Sequence, residues 1–267
     1  MTKNIRLGIK RLKEELNSEA FLSGLEAVLN YSLNAGNEAH FNVYYFPKLG
    51  IFGYPDYIIL GDATSVLPSR IDTKKTVEYI SKLVESAGVG NGPNMDRRLE
   101  YPQSEDFKRK NEKTESVDSE SIPAILVHTH PKTRIAYPSG GDLAALNAER
   151  DSQRFIEGIA YVKETKCNPL GIIVPTIKFG REHRVLMFQE KSNIPFPLDT
   201  DFEELSDKFY ESESDPENVL RALMSPGKYP DIDAIKQRYN ISHNYFNPSG
   251  KYWNKHYSMD GFLPIVK

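Results

Sequence analysis

The chain has 267 residues, enough for one large domain or for a core domain with an appendage. Its 34 basic and 37 acidic residues nearly balance, so the net charge of -3 provides no general attraction to nucleic acid or to an anionic membrane. The single cysteine, Cys167, excludes an internal disulfide and a zinc site built from several cysteines.

The N-terminal residues predict a helix rather than a targeting signal. They are charged throughout, and Ile5, Ile9, Leu12 and Leu16 recur at the spacing of one helix face. No apolar run in the chain approaches the roughly 18 residues that a membrane-spanning helix requires. We therefore expect a cytoplasmic protein that does not associate with a membrane.

The next segments alternate between helical and strand patterns. A second amphipathic helix is predicted over 18–35, with Ser18 as its N-cap and leucines along one face. Aromatic and β-branched residues predict strands at 41–46 and 57–61. A further helix is predicted to begin at Thr73.

Regular patterning is lost over 88–120. The segment begins with the glycine-rich GVGNG and continues with a long charged stretch. No strand leads directly into the glycines and no clear helix follows them, so a phosphate-binding loop is poorly supported. We interpret the segment as a surface insertion.

The apolar run over 122–130 predicts a buried strand, and a helix is expected over 143–155. Three more strand-like runs follow at 158–162, 170–175 and 184–188. Short helical patterns lie near 200–210, 216–224 and 231–239.

These alternating elements predict an α/β fold with a mixed sheet sandwiched by helices. We expect the core domain to span 1–190 and a mostly helical C-terminal extension to span 191–267. The end of this extension is rich in aromatic residues, including Tyr245, Phe246 and Trp253. Such residues are rare in disordered tails, so we expect them to pack on the core or to contact a partner.

The segment with the most chemical content begins at His128. Alternate residues of a strand point to the same face, so His128 and His130 would present their imidazoles together while Thr129 turns away. Pro131 ends the strand because proline cannot continue the ladder. The turn that follows can bring Asp142 back to the two histidines.

Two imidazoles and a carboxylate are the ligand set of a catalytic zinc site, because they leave one coordination position open for water. Each part also has a purely structural interpretation. A His-x-His pair can be hydrogen-bonded within a core, and Ser139 and Asp142 can cap the helix that follows them. The combination of a buried strand ending in His-x-His-Pro with Ser-x-x-Asp before a helix is much more specific than either part.

The sequence VHTHPKTRIAYPSGGDL resembles the JAMM motif of MPN-plus (JAB-domain) metallopeptidases, His-x-His-Pro followed by Ser-x-x-Asp. The loop between Pro131 and Ser139 has seven residues, one more than is common in that family. The resemblance implies an MPN-like fold and one Zn²⁺ per chain, with His128, His130 and Asp142 as ligands. It also implies that Ser139 stabilises an oxyanion.

The resemblance further implies an upstream glutamate that acts as general base and acid. The candidate is Glu38, which precedes the first predicted strand, although Phe41 stands where the family often has glycine. Glu78 and Glu85 are alternatives on a predicted helix. His40 shares the strand face of Glu38 and receives no role.

The leading hypothesis is a zinc hydrolase that cleaves peptide or isopeptide bonds of a protein substrate, including one joined to a ubiquitin-like protein. The first alternative is an MPN-type interaction scaffold with a weak or silent metal site. A second alternative, a DNA-associated JAB-like protein, is disfavoured by the acidic balance. No HExxH, GxSxG or Walker A pattern supports another chemistry.

Overall fold

The structure is a computed structural model. It describes residues 2–46, 49–54, 57–60, 98–100, 104–115, 122–132, 137–138, 142–143, 146, 168–191, 230–253, 259 and 262. The helices are α1 (Thr2–Leu16), α2 (Glu19–Ala35), α3 (Glu105–Glu115) and α4 (Pro230–Arg238). The strands are β1 (Ala39–Phe46), β2 (Ile51–Gly53), β3 (Tyr57–Leu60), β4 (Arg98–Glu100), β5 (Ile122–His130), β6 (Leu170–Pro175), β7 (His183–Glu190), β8 (Tyr239–Asn247) and β9 (Tyr252–Trp253).

All nine of these strands belong to one mixed sheet. The order across the sheet is β4-β3-β1-β5-β6-β7-β8-β9, and β2 pairs separately with β1. β5 and β6 are parallel, and the other pairs of described strands are antiparallel. The predicted α/β class with a mixed sheet is therefore confirmed, while the finer MPN-like arrangement stays a prediction.

Helix α2 begins and ends at residues that the sequence marks. Ser18 caps it by accepting a hydrogen bond from the Phe21 N–H at 3.2 Å. At the other end, Gly36 adopts a left-handed conformation with φ of 69° and donates its N–H to the Ser32 carbonyl. These two signals explain why the predicted boundaries of 18–35 agree with the structure.

The main hydrophobic core lies between the two N-terminal helices and one face of the sheet. Leu12 of α1 and Phe21 of α2 are fully buried there, beside Phe41 of β1 and Val127 of β5. The Phe21 and Phe41 rings lie 5.7 Å apart in a tilted arrangement. The core fixes β1 and β5 side by side, which matters because both strands lead to the candidate site.

The expected surface insertion over 88–120 contains regular structure where it is described. β4 pairs with β3, and α3 buries Phe107 to 2% exposure against Tyr54. The sequence pattern missed α3 because Phe107 is its one large apolar residue. One ion pair between α3 and α1, Lys110 with Glu15, supplies a contact that a hydrophobic pattern does not reveal.

The described part of the C-terminal extension differs from the mostly helical prediction. After α4, β8 pairs with β7 over eight residues and β9 pairs with β8. Phe246 and Trp253 are buried in the main core, and the Trp253 indole donates a hydrogen bond to the Leu16 carbonyl at 2.8 Å. The expected packing of this aromatic end on the core is confirmed for these two residues, and the domain boundary at 190/191 stays a prediction.

Several predicted elements lie outside the described residues. They are the helix beginning at Thr73, most of the helix over 143–155, the strand at 158–162 and the helical patterns near 200–210 and 216–224.

Candidate metal centre

His128 and His130 lie at the end of β5, which is flanked by β1 on one side and β6 on the other. Their Nε2 atoms are 3.1 Å apart and their ring centroids are 5.0 Å apart, so the two imidazoles share one face of the sheet as expected. Burial leaves 14% of the His128 side chain and 8% of the His130 side chain exposed.

Thr129 points to the opposite face and fixes the adjacent strand. Its side chain is fully buried, and its Oγ1 accepts a hydrogen bond from the Ala39 N–H at 2.9 Å. The same hydroxyl lies 3.4 Å from the Ala39 carbonyl oxygen, to which it can donate. Thr129 thereby fastens the beginning of β1 to the end of β5.

The chain turns sharply after the two histidines. Lys132 adopts a left-handed conformation with φ of 61°, and its N–H donates to the Thr176 Oγ1 at 2.8 Å. The Thr176 N–H in turn donates to the His130 carbonyl at 3.0 Å. Thr176 therefore holds both His130 and the turn that leads away from it.

Asp142 comes later in the chain, after this turn, and its side chain lies beside the two histidines. Its backbone is helical, and the helical Leu143 and Leu146 beside it are buried. Asp142 Oδ1 lies 2.9 Å from the His128 Nε2, and Oδ2 lies 3.4 Å from the His130 Nε2. The structure thus brings together three side chains that are up to 14 residues apart in sequence.

The electrostatics of the cluster favour an ionised carboxylate. Burial by itself would raise the pKa of Asp142, but the charges and hydrogen bonds of His128 and His130 outweigh it. The pKa of Asp142 is consequently held well below its usual value. The carboxylate is therefore anionic at neutral pH, as a metal ligand must be.

The separations of the donor atoms suit metal coordination. Ligand atoms about 2.0–2.1 Å from a tetrahedral zinc lie about 3.4 Å from one another. The two Nε2 atoms are 3.1 Å apart, and Asp142 approaches His128 through Oδ1 at 2.9 Å and His130 through Oδ2 at 3.4 Å. One ligand atom from each residue lies within 4.8 Å of the others. His128, His130 and Asp142 therefore form a group that could hold a metal ion.

His40 lies beside this group on β1. It pairs directly with His128 in the antiparallel register, so the two side chains share a face. Burial, followed by the charge of His128, lowers the pKa of His40 to about 3. His40 is therefore neutral at neutral pH and adds no positive charge beside the cluster.

Glu38 precedes β1 and is half-buried. The β1–β5 register ends with His40 opposite His128, and two further residues of the same register would bring Glu38 opposite His130. Its carboxylate is not in the group whose donor atoms converge within 4.8 Å among the described residues. Its role as a base stays a prediction.

The other predicted site residues cannot be compared with the structure. Ser139, Glu78 and Glu85 lie outside the described residues, as does Cys167.

Sequence reasoning did not single out two polar residues on the same sheet face as the cluster. Register pairs join His128 to Ile173, Ile173 to Leu186 and Leu186 to His243, so His243 lies on that face. Arg184, two residues before Leu186, lies there too. No local sequence motif contains both His243 and Arg184, because the two residues become neighbours only through the pairing of β7 with β8.

Comparison with known proteins identifies no relative. No family model, no curated protein and no solved structure matches the chain. Among the described residues, no helix is long and apolar enough to cross a membrane.

Proposed function

We propose that the chain is a zinc-dependent hydrolase of the JAMM type that cleaves peptide or isopeptide bonds. The observation that carries the proposal is the convergence of His128, His130 and Asp142 at coordination distances. The local motif that resembles the JAMM pattern contains these same three residues, so spacing and geometry support the same ligand set.

The number and kind of donors favour catalysis over a structural role. Structural zinc sites usually have four protein ligands, most of them cysteine or histidine. This group has two imidazoles and one carboxylate among the described residues, and its side chains keep some exposure, 15% for Asp142. A three-donor group that solvent can reach is suited to a metal with an open position.

A hydrogen-bonded cluster without metal is a weaker explanation. A neutral imidazole carries one N–H. The His128 Nε2 faces both the His130 Nε2 and the Asp142 carboxylate, and one proton on that atom cannot satisfy both contacts. A cation placed among the three donor atoms satisfies all of them together.

In the proposed hydrolysis, the metal and the side chains of the protein would have separate roles. Zinc bound by these ligands would supply Lewis acidity and lower the pKa of a water at the open position toward about 7. His128, His130 and Asp142 would hold the ion. Glu38 would accept a proton from the attacking water and deliver it to the leaving amine. Ser139 would donate a hydrogen bond to the developing oxyanion.

The fold supports this role for Glu38 through the strand that carries it. Ala39 follows Glu38 directly and is held to Thr129, which lies between His128 and His130. A displacement of β1 would therefore disturb the end of β5 as well. This connection provides a rigid spacing between the proposed base and the proposed ligands.

The substrate proposed is a protein, including one joined through an isopeptide bond to a ubiquitin-like partner, and the proposed location is the cytoplasm. An MPN-type scaffold with a silent site is the second candidate. It is favoured by the position of Glu38 outside the converged donor group. Bound metal without cleavage of any peptide or isopeptide substrate would support the scaffold.

The test begins with metal content measured by elemental analysis of purified protein. Wild type is expected to hold about one zinc per chain, and H128A, H130A and D142A are expected to lose most of it. The matched control is H243Q, which removes a histidine from the same sheet face outside the cluster and should keep its zinc. Wild type that binds no zinc in the presence of the free ion would overturn the proposed site.

A second measurement uses a panel of peptide and isopeptide-linked substrates. Cleavage by wild type that disappears in D142A and survives in H243Q is the result expected of the hydrolase. Equal cleavage by wild type and D142A would assign the activity to a contaminant.

A further inference from the structure

Among the described residues, Arg184 is a buried cation without a charged partner. Its side chain is on β7, and the residue is only 5% exposed. Its Nε and Nη1 atoms are inaccessible to solvent and have no hydrogen-bond partner. Taking a guanidinium out of water without a partner is costly, so such a group calls for a specific explanation.

Aromatic rings contact the guanidinium without using its donors. The Arg184 Cζ lies 4.2 Å from the Phe179 ring centroid and 5.4 Å from that of Tyr245. Ring contacts of this kind involve the flat face of the guanidinium, whereas its N–H groups lie in the plane. The two rings pack against the guanidinium, and neither supplies an acceptor that hydrogen-bonds its Nε or Nη1.

His243 adds two further unused polar atoms beside Arg184. It pairs with Leu186, while Arg184 pairs with Tyr245, so the two side chains are diagonal neighbours on one sheet face. Both ring nitrogens of His243 are buried and have no hydrogen-bond partner. Burial, then the charges of Arg184 and Lys236, lowers the pKa of His243 to about 4. The imidazole is thus neutral at neutral pH and retains one N–H donor.

We propose that Arg184 and His243 bind a carboxylate on the sheet face that also carries the His128, His130 and Asp142 cluster. The guanidinium would provide one N–H donor, from Nε or from Nη1, which lie on different edges of the group, and the imidazole a second. One buried positive charge matches the single negative charge of a carboxylate, whereas a phosphate dianion would leave excess charge in a buried site. This proposal does not depend on metal binding or hydrolysis.

The site lies at a defined distance from the cluster and close to solvent. Three strand spacings separate His128 from His243, or about 14 Å. Phe179, whose ring contacts Arg184, is 44% exposed in the hairpin between β6 and β7. A residue in contact with the buried cation is therefore itself open to solvent.

The experiment compares thermal unfolding in sodium acetate and in sodium chloride at equal ionic strength and neutral pH. For a dissociation constant of about 30 mM, about 100 mM acetate should raise the midpoint of wild type by about 3 °C relative to chloride. R184Q should lose this increment, and H243Q should lose part of it. R238Q is the matched control, because Arg238 is already paired with Glu190 at 2.9 Å, and it should keep the full increment.

If R184Q does not fold, R184K is used instead, because lysine keeps the positive charge but lacks the planar guanidinium. It should fold in chloride and lose at least half of the increment. The proposal is overturned if acetate does not raise the unfolding midpoint of wild type. It is also overturned if acetate raises the midpoint of every variant by the same amount as that of wild type. A larger increment with phosphate that disappears in R184Q or R184K would overturn the carboxylate assignment.

Discussion

At the scale of single residues, Glu38 is the member of the proposed machinery with a role in proton transfer. Replacement by glutamine keeps the shape of the side chain and removes its basicity. We expect E38Q to retain zinc and fold normally but to lose about 10²–10⁴-fold in the rate of cleavage. Zinc content and turnover should be measured on the same preparation.

The controls for this prediction are the two glutamates that the sequence leaves open as alternatives. E78Q and E85Q should turn over like wild type. The assignment of the base would be wrong if E38Q remained fully active while either control lost activity. The proposed metal ligands would be unaffected by that result, because His128 and His130 are on β5 and Asp142 lies in a helical segment.

Thr129 offers a second test at this scale, on positioning rather than on chemistry. T129V keeps the branched shape but removes the oxygen that accepts from the Ala39 N–H at 2.9 Å. A buried N–H left unsatisfied costs about 1–3 kcal/mol, so the free energy of unfolding should fall by that amount. T129S retains the hydroxyl and should lose less. Equal stability of T129V and wild type in urea unfolding would show that the bond contributes little.

At the scale of elements, α3 is attached to α1 by a buried charge network. Lys110 lies 2.7 Å from Glu15 and 3.0 Å from Asp106, and Tyr54 also donates to the Glu15 carboxylate. The side chains of Lys110 and Glu15 are 15% and 7% exposed. This network acts together with the buried Phe107, which contacts Tyr54, in holding α3 in place.

We therefore expect K110M to be strongly destabilising. Removal of one partner leaves a buried carboxylate uncompensated, which typically costs about 3–5 kcal/mol. The matched control is K10M, since Lys10 and Glu14 form an exposed pair at 3.6 Å with 73% and 61% exposure. That substitution should change the free energy of unfolding by less than about 1 kcal/mol. Similar losses in the two variants would contradict a special role for the buried network.

Helices and strands could be predicted from the sequence where the buried residues recur at a regular spacing or form a continuous apolar run. α2 has regularly spaced leucines and marked ends, and β5 is a continuous apolar run, so both were located correctly. β8 was missed because its sequence, YNISHNYFN, buries Asn244 along with Phe246 and so lacks a hydrophobic alternation. Its strand character depends on pairing with β7, which the local sequence does not encode.

The same distinction applies to the sites. His128, His130 and Asp142 stand within one short segment, so their spacing was enough to predict their convergence. Arg184 and His243 are 59 residues apart and are joined only by the sheet. What identifies Arg184 and His243 is that the folded chain buries their polar atoms without a hydrogen-bond partner among the described residues. The sequence alone does not reveal this.

At the scale of the whole molecule, one sheet unites the N-terminal and C-terminal segments. The Trp253 indole donates a hydrogen bond to the Leu16 carbonyl across 237 positions of sequence, and β8 continues the sheet that contains His128 and His130. His243 on β8 is consequently buried by the assembled fold, and its protonation is linked to the stability of the entire chain.

This linkage predicts that stability falls in mild acid. The pKa of His243 is about 4 in the folded protein, against an ordinary value of 6.5. As the pH falls below 6.5, the unfolded chain takes up a proton that the folded chain does not. The stabilisation is therefore fully present above that pH and is lost progressively toward pH 4. Between pH 7 and 5 this histidine should account for a loss of roughly 2 kcal/mol.

Urea unfolding of wild type and H243Q over this pH range measures the contribution directly. Sulfonate buffers are required, because a carboxylate bound at Arg184 would itself favour protonation of the neighbouring imidazole. Other buried histidines, such as His183, also resist protonation and should lower the stability of both proteins in acid. The difference between the two curves isolates His243, and it should grow as the pH falls. Parallel curves would mean that His243 titrates normally and lies in a more hydrated environment than the structure describes.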